Sequence, residues 1–370
     1  MGGELDTPNL EKYAFDGKKA RFRYGLNKIQ GLKKTMEVYN INNDIFINKE
    51  KTIYIFGIFD GHSGNEISQY ISENFSNELT KNNNFINGEY KKAIIDTFIN
   101  IDKNLKSEDV NNILMKYNEK NKFIIKEKLE QLNKDKNNIF NNDDIININS
   151  FLEIINPNNL ENVTISDYIG SSGLVILIND DITFIANAGN SHFIIIDKEL
   201  KIDNKFLEKQ KKYEEEEKNR IKIVKGIKYG KNFKKEEYIY TRGFGDFQYK
   251  IYNTNNIDTK EILSEPFLYE FNNIEIKYII AFNNGFYENF TNNNDYKNVN
   301  YKDKENIYNN ISKYFIEKIN EGNKNLSEII SEYFDKNIVN KNKIISNSSD
   351  NLSCIIIEFF ASIFYIFIYL

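Results

Sequence analysis

The chain is expected to fold as a mixed α+β protein, with antiparallel strands in the middle and helices packed outside. Two observations carry this. Six short runs rich in Ile, Val, Phe and Tyr read as strands, at residues 52–59, 173–179, 182–187, 192–197, 276–282 and 353–359. Five longer segments carry helical spacing of apolar residues, at 64–82, 89–105, 205–224, 305–319 and 325–336. Their order is a strand, a helix pair, strands, helices and a last strand, which is not the strict strand–helix alternation of a parallel sheet.

Each element has a local reason. The second helical segment, EYKKAIIDTFINIDKNL, places Ala93, Ile94, Phe98 and Ile101 on one face. The segment KKYEEEEKNR at 211–220 is a charge run and reads as a solvated helix face. Residues 107–165 are rich in Asn and Lys with isolated Ile and Leu, so they bury little apolar surface and read as a partly disordered insertion. No internal repeat and no coiled coil is visible, and a monomer is expected.

Composition bounds the function. The chain has 370 residues, enough for one large domain or two ordinary ones, and 40% of them are hydrophobic. Its formal net charge of -5 announces no basic face, which argues against nucleic acid as a partner. The single cysteine, Cys354, excludes an intramolecular disulfide and a Cys-rich zinc site, and it lies in an apolar run. The chain shows no secretory signal, and a cytoplasmic location is expected. The start MGGELDT offers Gly2 for myristoylation, although Asp6 stands where the acceptor pattern wants Ser or Thr. The apolar end FFASIFYIFIYL is shorter than the ~20 residues of a spanning helix. Burial of that end is the first expectation; weak membrane contact through it or through an acylated Gly2 is the alternative.

The stretch IYIFGIFDGHSGNEISQYI, at 53–71, poses the functional question. A hydrophobic run stops at Asp60 and is followed by Gly61 and His62, one of only two histidines in the chain. Asp-Gly is a common turn pair. The same residues would also serve as a metal-binding carboxylate with a proton donor beside it.

With part of that stretch, seven motifs occur in order: TMEVYN, FGIFDGHSG, GSSGLVILI, ANAGNSH, YTRGFGDFQYK, AFNNGF and SSDNLSCIII. In this order and spacing they resemble the metal-dependent Ser/Thr phosphatases of the protein phosphatase 2C type. The opening MGGELDTPNLEK with RFRYGLNKIQG is similar to the start of animal members. The likeness reaches about residue 360, giving a leading segment 1–19, a phosphatase domain 20–360 interrupted by 107–165, and an apolar tail 361–370. It implies two stacked antiparallel sheets flanked by helices, with a metal site in the cleft at the sheet edges. It also implies hydrolysis of phosphoserine or phosphothreonine with Mn²⁺ or Mg²⁺, acting on a phosphoprotein.

Such hydrolysis needs clustered oxygen ligands for hard dications, a cation for the phosphate and an acid for the leaving alkoxide. By resemblance, Glu37 is a first metal-binding acid and Asp60 bridges two ions. The Gly61 carbonyl is a ligand, His62 is the general acid and Asp350 is a late metal ligand. Asp246 is an acid of the pattern with a mainly structural role.

The departures are as informative. The acid that follows Glu37 in the family is Val38 here. The family's Ser-Asp-Gly reads Asn283-Asn284-Gly285, placing Asn284 where a metal carboxylate is expected, and Gly-Asp-Ser reads Gly189-Asn190-Ser191. Glu288 stands in place of Asp. The phosphate-holding Arg is Lys33, a point charge in place of a fork, with Arg21 and Arg23 as alternative cations. Glu37, Asp60 and Asp350 leave three acids where the family supplies five, so a second ion should be weak or absent. Two readings follow: a degenerate phosphatase that binds and regulates a partner, or an active enzyme with weakened metal affinity.

Overall fold

The computed structural model describes residues 4–47, 51–117, 164–229, 241–250, 261–288, 301–336 and 350–360. Two antiparallel sheets form its frame. The first has the order β1-β2-β11-β10-β7. Its strands are β1 (Glu4–Lys18), β2 (Phe22–Lys33), β7 (His192–Asp197), β10 (Ile276–Phe282) and β11 (Leu352–Phe359). The second has the order β3-β4-β5-β6-β9, with the two-residue β8 (Phe244–Gly245) on β5. Its other strands are β3 (Val38–Phe46), β4 (Thr52–His62), β5 (Gly170–Ile178), β6 (Ile182–Ala188) and β9 (Phe267–Asn272).

Both faces of the second sheet are buried at its middle strands, and β4 shows why its sequence is a continuous apolar run. Successive strand residues point to opposite faces. Phe56 and Ile58 enter the core between the sheets, with Phe22, Tyr24, Leu174 and Ile176. Ile53, Ile55 and Phe59 enter a second core beneath α1 (Glu66–Lys81) and α3 (Tyr90–Asn104). The short α2 (Asn83–Ile86) and α4 (Glu108–Tyr117) complete that helical layer. The first sheet is covered by α7 (Tyr301–Asn320) and α8 (Leu326–Phe334). Their Tyr308, Ile311, Phe315, Ile329 and Ile330 join the core that also fills the inter-sheet space. Two other helices, α5 (Asn204–Tyr229) and α6 (Asn284–Glu288), flank these layers.

The six expected strands and five expected helical segments all appear, and the structure adds to them. β1 pairs with β2 from Glu4 to Lys18, so the leading segment 1–19 is largely the edge strand of the first sheet rather than a separate piece. The stretch at 107–165 opens with α4, which buries Val110 and Leu114, and closes with a turn of 3-10 helix at Ile165–Asp167. The remainder of that stretch, the tail 361–370 and Gly2 lie outside the described residues. No helix among the described residues is long and apolar enough to cross a membrane.

Gly25 sets how closely α8 approaches the first sheet. A Cβ there would lie 2.4 Å from the backbone nitrogen of Ser327, and beside it Asn27 Nδ2 donates to the Ser327 carbonyl at 3.2 Å. Backbone cannot yield as a flexible side chain can. Gly25→Ala is therefore expected to cost about 1–3 kcal/mol of stability, read as a lower midpoint in urea unfolding; an unchanged midpoint would show that α8 shifts freely.

His192, at the start of β7, is partly buried in an aromatic layer. Its ring stacks on Tyr287 with centroids 4.0 Å apart, and Nδ1 lies 3.0 Å from the Tyr308 hydroxyl. Burial, reinforced by the Lys304 charge, holds its pKa well below the usual histidine range, against a hydrogen bond with Asn284 that works the other way. The unfolded chain takes up this proton near pH ~6.5 while the folded one does not. His192 therefore contributes stability that is complete above that pH and is lost as pH falls through it. His192→Phe should flatten the pH dependence of unfolding between pH ~7 and ~5, by up to ~1.4 kcal/mol per pH unit. Equal slopes in both proteins would remove this role.

Candidate active site

The site lies where the ends of β2, β4 and β10 and the start of β11 meet. Asp60 continues the alternation of Phe56 and Ile58, so it faces the space between the sheets. The Asp-Gly pair is not a turn. Asp60, Gly61 and His62 remain in β4 and pair with Ser172, Ser171 and Gly170, and the chain turns at Ser63, where φ is 63°. β5 supplies a partner for every one of these residues, which keeps them extended.

The β2–β3 connection carries the chain from one sheet to the other and holds Lys33 and Glu37. Asn351, just before β11, fixes it. Its Oδ1 accepts the Glu37 backbone N–H at 2.7 Å, and its Nδ2 donates to the carbonyls of Gln30 at 2.8 Å and Thr35 at 3.1 Å. Glu37 Oε1 accepts from the Thr35 hydroxyl at 2.9 Å, and the Glu37 carbonyl accepts from Ser68 Oγ at 2.6 Å and Gly61 N at 3.0 Å. Gly61 is thus tied to Glu37 through its N–H.

The charges converge on Lys33. Its Nζ lies 2.6 Å from Glu37 Oε2 and 2.7 Å from Asp350 Oδ1. Burial alone would lower its pKa, but Asp350, Glu37 and Asp60 outweigh burial and hold the ammonium above the usual lysine range. Asp60 shifts upward: burial, Asp350 and Glu37 raise its pKa well above the ordinary carboxylate value against the opposing pull of Lys33 and a hydrogen bond from Asn283. Its Oδ2 accepts from Asn283 Nδ2 at 3.1 Å, while Oδ1 is buried with no hydrogen-bond partner among the described residues.

Asn284 is placed differently from the sequence expectation. Its Nδ2 donates to Glu288 Oε1 at 2.5 Å and its side chain also bonds His192. The amide that reaches Asp60 is its neighbour Asn283, which also donates to the Asn351 carbonyl at 2.8 Å and accepts from Ser353 N at 2.9 Å. Residue 284 opens α6, and its side chain is engaged with Glu288 and His192. Val38 is fully buried in the main core, so no polar atom enters the site at that position. Arg21 and Arg23 sit at the other end of β2, where Arg23 pairs with Glu358 at 2.6 Å and Arg21 meets Asp180, and neither approaches Lys33.

His62 is held by an acid whose expected role was mainly structural. Its Nε2 lies 2.7 Å from Asp246 Oδ2. A Cβ on Gly170 would fall 2.1 Å from that oxygen and 2.3 Å from that nitrogen, so only glycine leaves room for the pair. Asp246 itself adopts a left-handed backbone, with φ 52°. Asp102 of α3 pins this bend: its Oδ1 accepts the Gly245 N–H at 2.8 Å, and both its oxygens take Lys250 Nζ at 2.8 Å. Sequence reasoning missed Asp102. The available signal was its position four residues beyond Phe98 on the apolar stripe of α3, where a charge needs a buried partner. Chemically, the arrangement orients one imidazole against a fixed carboxylate and gathers three acids about one ammonium.

The resemblance implies two divalent ions here. The orphaned Asp60 Oδ1 could serve a cation, but the set as a whole does not fit an ion pair. Two of its three carboxylates already close on Lys33, and the Asn284 amide is taken up by Glu288 and His192. Among the described residues no group of three or more His, Cys, Asp or Glu side chains is arranged to hold a metal ion.

Comparison with known proteins agrees with this architecture. The family model described as Protein phosphatase 2C matches residues 22–121 and 115–323. "Probable protein phosphatase 2C 5" of Paramecium tetraurelia is 37% identical over 105 residues, 28% of this chain and 35% of that protein. "Protein phosphatase 2C homolog 2" of Saccharomyces cerevisiae is 32% identical over 112 residues, 30% of this chain and 24% of that protein. These matches therefore span about a third or less of the curated relatives. The solved serine-threonine phosphatase 2C from Toxoplasma gondii superposes with a TM-score of 0.55 at 12% identity, covering 95% of this chain and 99% of that one, a likeness of fold. From the family match over most of its length, the chain belongs to the protein phosphatase 2C family.

Proposed function

We propose that this chain is a degenerate protein phosphatase 2C, a regulatory module that binds a partner protein without efficient turnover. The observation that carries this reading is the orientation of Asn284. Its amide bonds Glu288 and His192 and brings no oxygen to Asp60, and among the described residues Glu37, Asp60 and Asp350 are the acids that act on Lys33. Hard dications are held by carboxylate count, and two ions with three acids, one ammonium and a valine at position 38 are poorly matched. Three carboxylates against one ammonium also leave the centre negative. A phosphate would meet repulsion there, so recognition of a phosphoprotein or regulated protein is expected on the surface around the cleft.

A second reading, an active Mn²⁺- or Mg²⁺-dependent phosphatase with weakened metal affinity, is favoured by the unpartnered Asp60 Oδ1 and by His62 held on Asp246 at 2.7 Å. A bound dication would supply an activated water and charge stabilisation for an in-line displacement. In that reading His62, oriented by Asp246, is the group that hands a proton to the leaving alkoxide.

Turnover of an aryl phosphate and of a phosphothreonine peptide, with Mn²⁺ or Mg²⁺ supplied, separates the two. The regulatory reading expects a background rate that Asp60→Asn leaves unchanged. Metal-stimulated turnover that Asp60→Asn abolishes overturns it in favour of the enzyme.

A further inference from the structure

We propose that Lys33 is the resident cation of this centre: its ammonium takes the place among Glu37, Asp60 and Asp350 that a divalent ion would need, and keeps such ions out. This deepens the reading of the chain as a degenerate phosphatase and rests on it.

Geometry is the first argument. Lys33 Nζ closes on Glu37 Oε2 at 2.6 Å and on Asp350 Oδ1 at 2.7 Å, and it acts electrostatically on Asp60. These acids come from three separate parts of the chain, before β3, at the end of β4 and before β11. A single charge that pairs with two of these acids and attracts the third has the role that a metal ion plays in a hard-ion centre. An ammonium is a compact point charge with donors directed around it, so it can stand where a spherical ion would, as a planar guanidinium could not.

The second argument is tethering. Lys33 ends β2, four residues before Glu37, and its backbone carbonyl accepts Gln30 Nε2 at 2.8 Å. The ammonium is therefore supplied intramolecularly by a short, hydrogen-bonded connection, and a free ion must compete with a high effective concentration. Burial adds a third argument. Glu37 is only 6% exposed, while Lys33 and Asp350 keep 26% and 30% of their side-chain surface, so an incoming ion must break a partly desolvated ion pair before it gains its ligands. An ammonium also leaves its oxygens about 2.7 Å away, whereas Mg²⁺ draws them to about 2.1 Å, so the acids must close in further after it is ejected.

The test is Mn²⁺ binding to the full chain, followed by the electron paramagnetic resonance signal of the free ion, for the wild type and for Lys33→Gln. Wild type is expected to show no saturable site below millimolar Mn²⁺, and Lys33→Gln to gain at least about tenfold in affinity, since a positive charge is removed within a few ångströms of the ion. Melting of the wild type gives a measurement independent of any variant: excess EDTA and several millimolar Mg²⁺ should leave its midpoint equal, because an ion bound only by the native state would raise it. Saturable wild-type binding that Lys33→Gln does not strengthen, or a clear rise of the wild-type midpoint with Mg²⁺, overturns the proposal. A chain without metal-dependent turnover whose Lys33→Gln variant folds and gains no Mn²⁺ affinity refutes the role of Lys33 and leaves the regulatory reading standing.

Discussion

Two buried amides set the geometry of the cleft. Asn351 and Asn283 are both fully buried, and each has its oxygen and its nitrogen engaged. Asn351 grips the connection between the sheets at Gln30, Thr35 and Glu37, and Asn283 joins β10 and β11 of the first sheet to Asp60 of the second. A buried amide left half-paired costs about 1–3 kcal/mol, so this network has one arrangement in which every member is satisfied. Lys33, Glu37, Asp60 and Asp350 inherit their positions from it.

The layered fold makes such a network possible. Core packing on both faces of the second sheet leaves β4 no freedom to slip by one residue, because a slip would exchange Phe56 and Ile58 with Ile55 and Phe59 between two different cores. Asp60 and His62 are the continuation of that fixed strand beyond the apolar run. The bend from Gly243 to Lys250 is held both by packing of the buried Phe244 on Phe98 and by charge, through the buried Asp102–Lys250 pair. Breaking one member of such a pair leaves an uncompensated charge, which is why a left-handed Asp246 can be maintained against its backbone preference.

At the centre itself, electrostatics decides. Clustered carboxylates repel, and something positive must stand among them. Where Val38 has joined the core and Asn283 and Asn284 bring no charge, a single ammonium balances much of what remains. The family fold therefore surrounds a centre in which three acids act on one ammonium. Fold and site respond to different constraints: the first to apolar periodicity, the second to a few atoms.

The sequence by itself determined the elements with strong local signals. Strands such as 173–179 and 276–282 and the helix with Ala93, Ile94 and Phe98 on one face are written in spacings of two and of three or four residues. β2 and β3, in FRYGLNKIQGLK and VYNINNDIF, were not legible because Lys, Asn and Gln interrupt their apolar pattern. Edge strand β1 was hidden for the same reason. The family resemblance of the quoted motifs, rather than any local pattern, grouped Glu37, Asp60, His62 and Asp350 as one site. Only the tertiary structure decided that Asn283 rather than Asn284 reaches Asp60, that Asp246 holds His62, and that Lys33 closes on the acids instead of standing clear of them. Those outcomes depend on contacts between residues as much as 317 positions apart, such as Lys33 with Asp350, and on differences of a few ångströms in side-chain direction, neither of which leaves a local pattern in the chain.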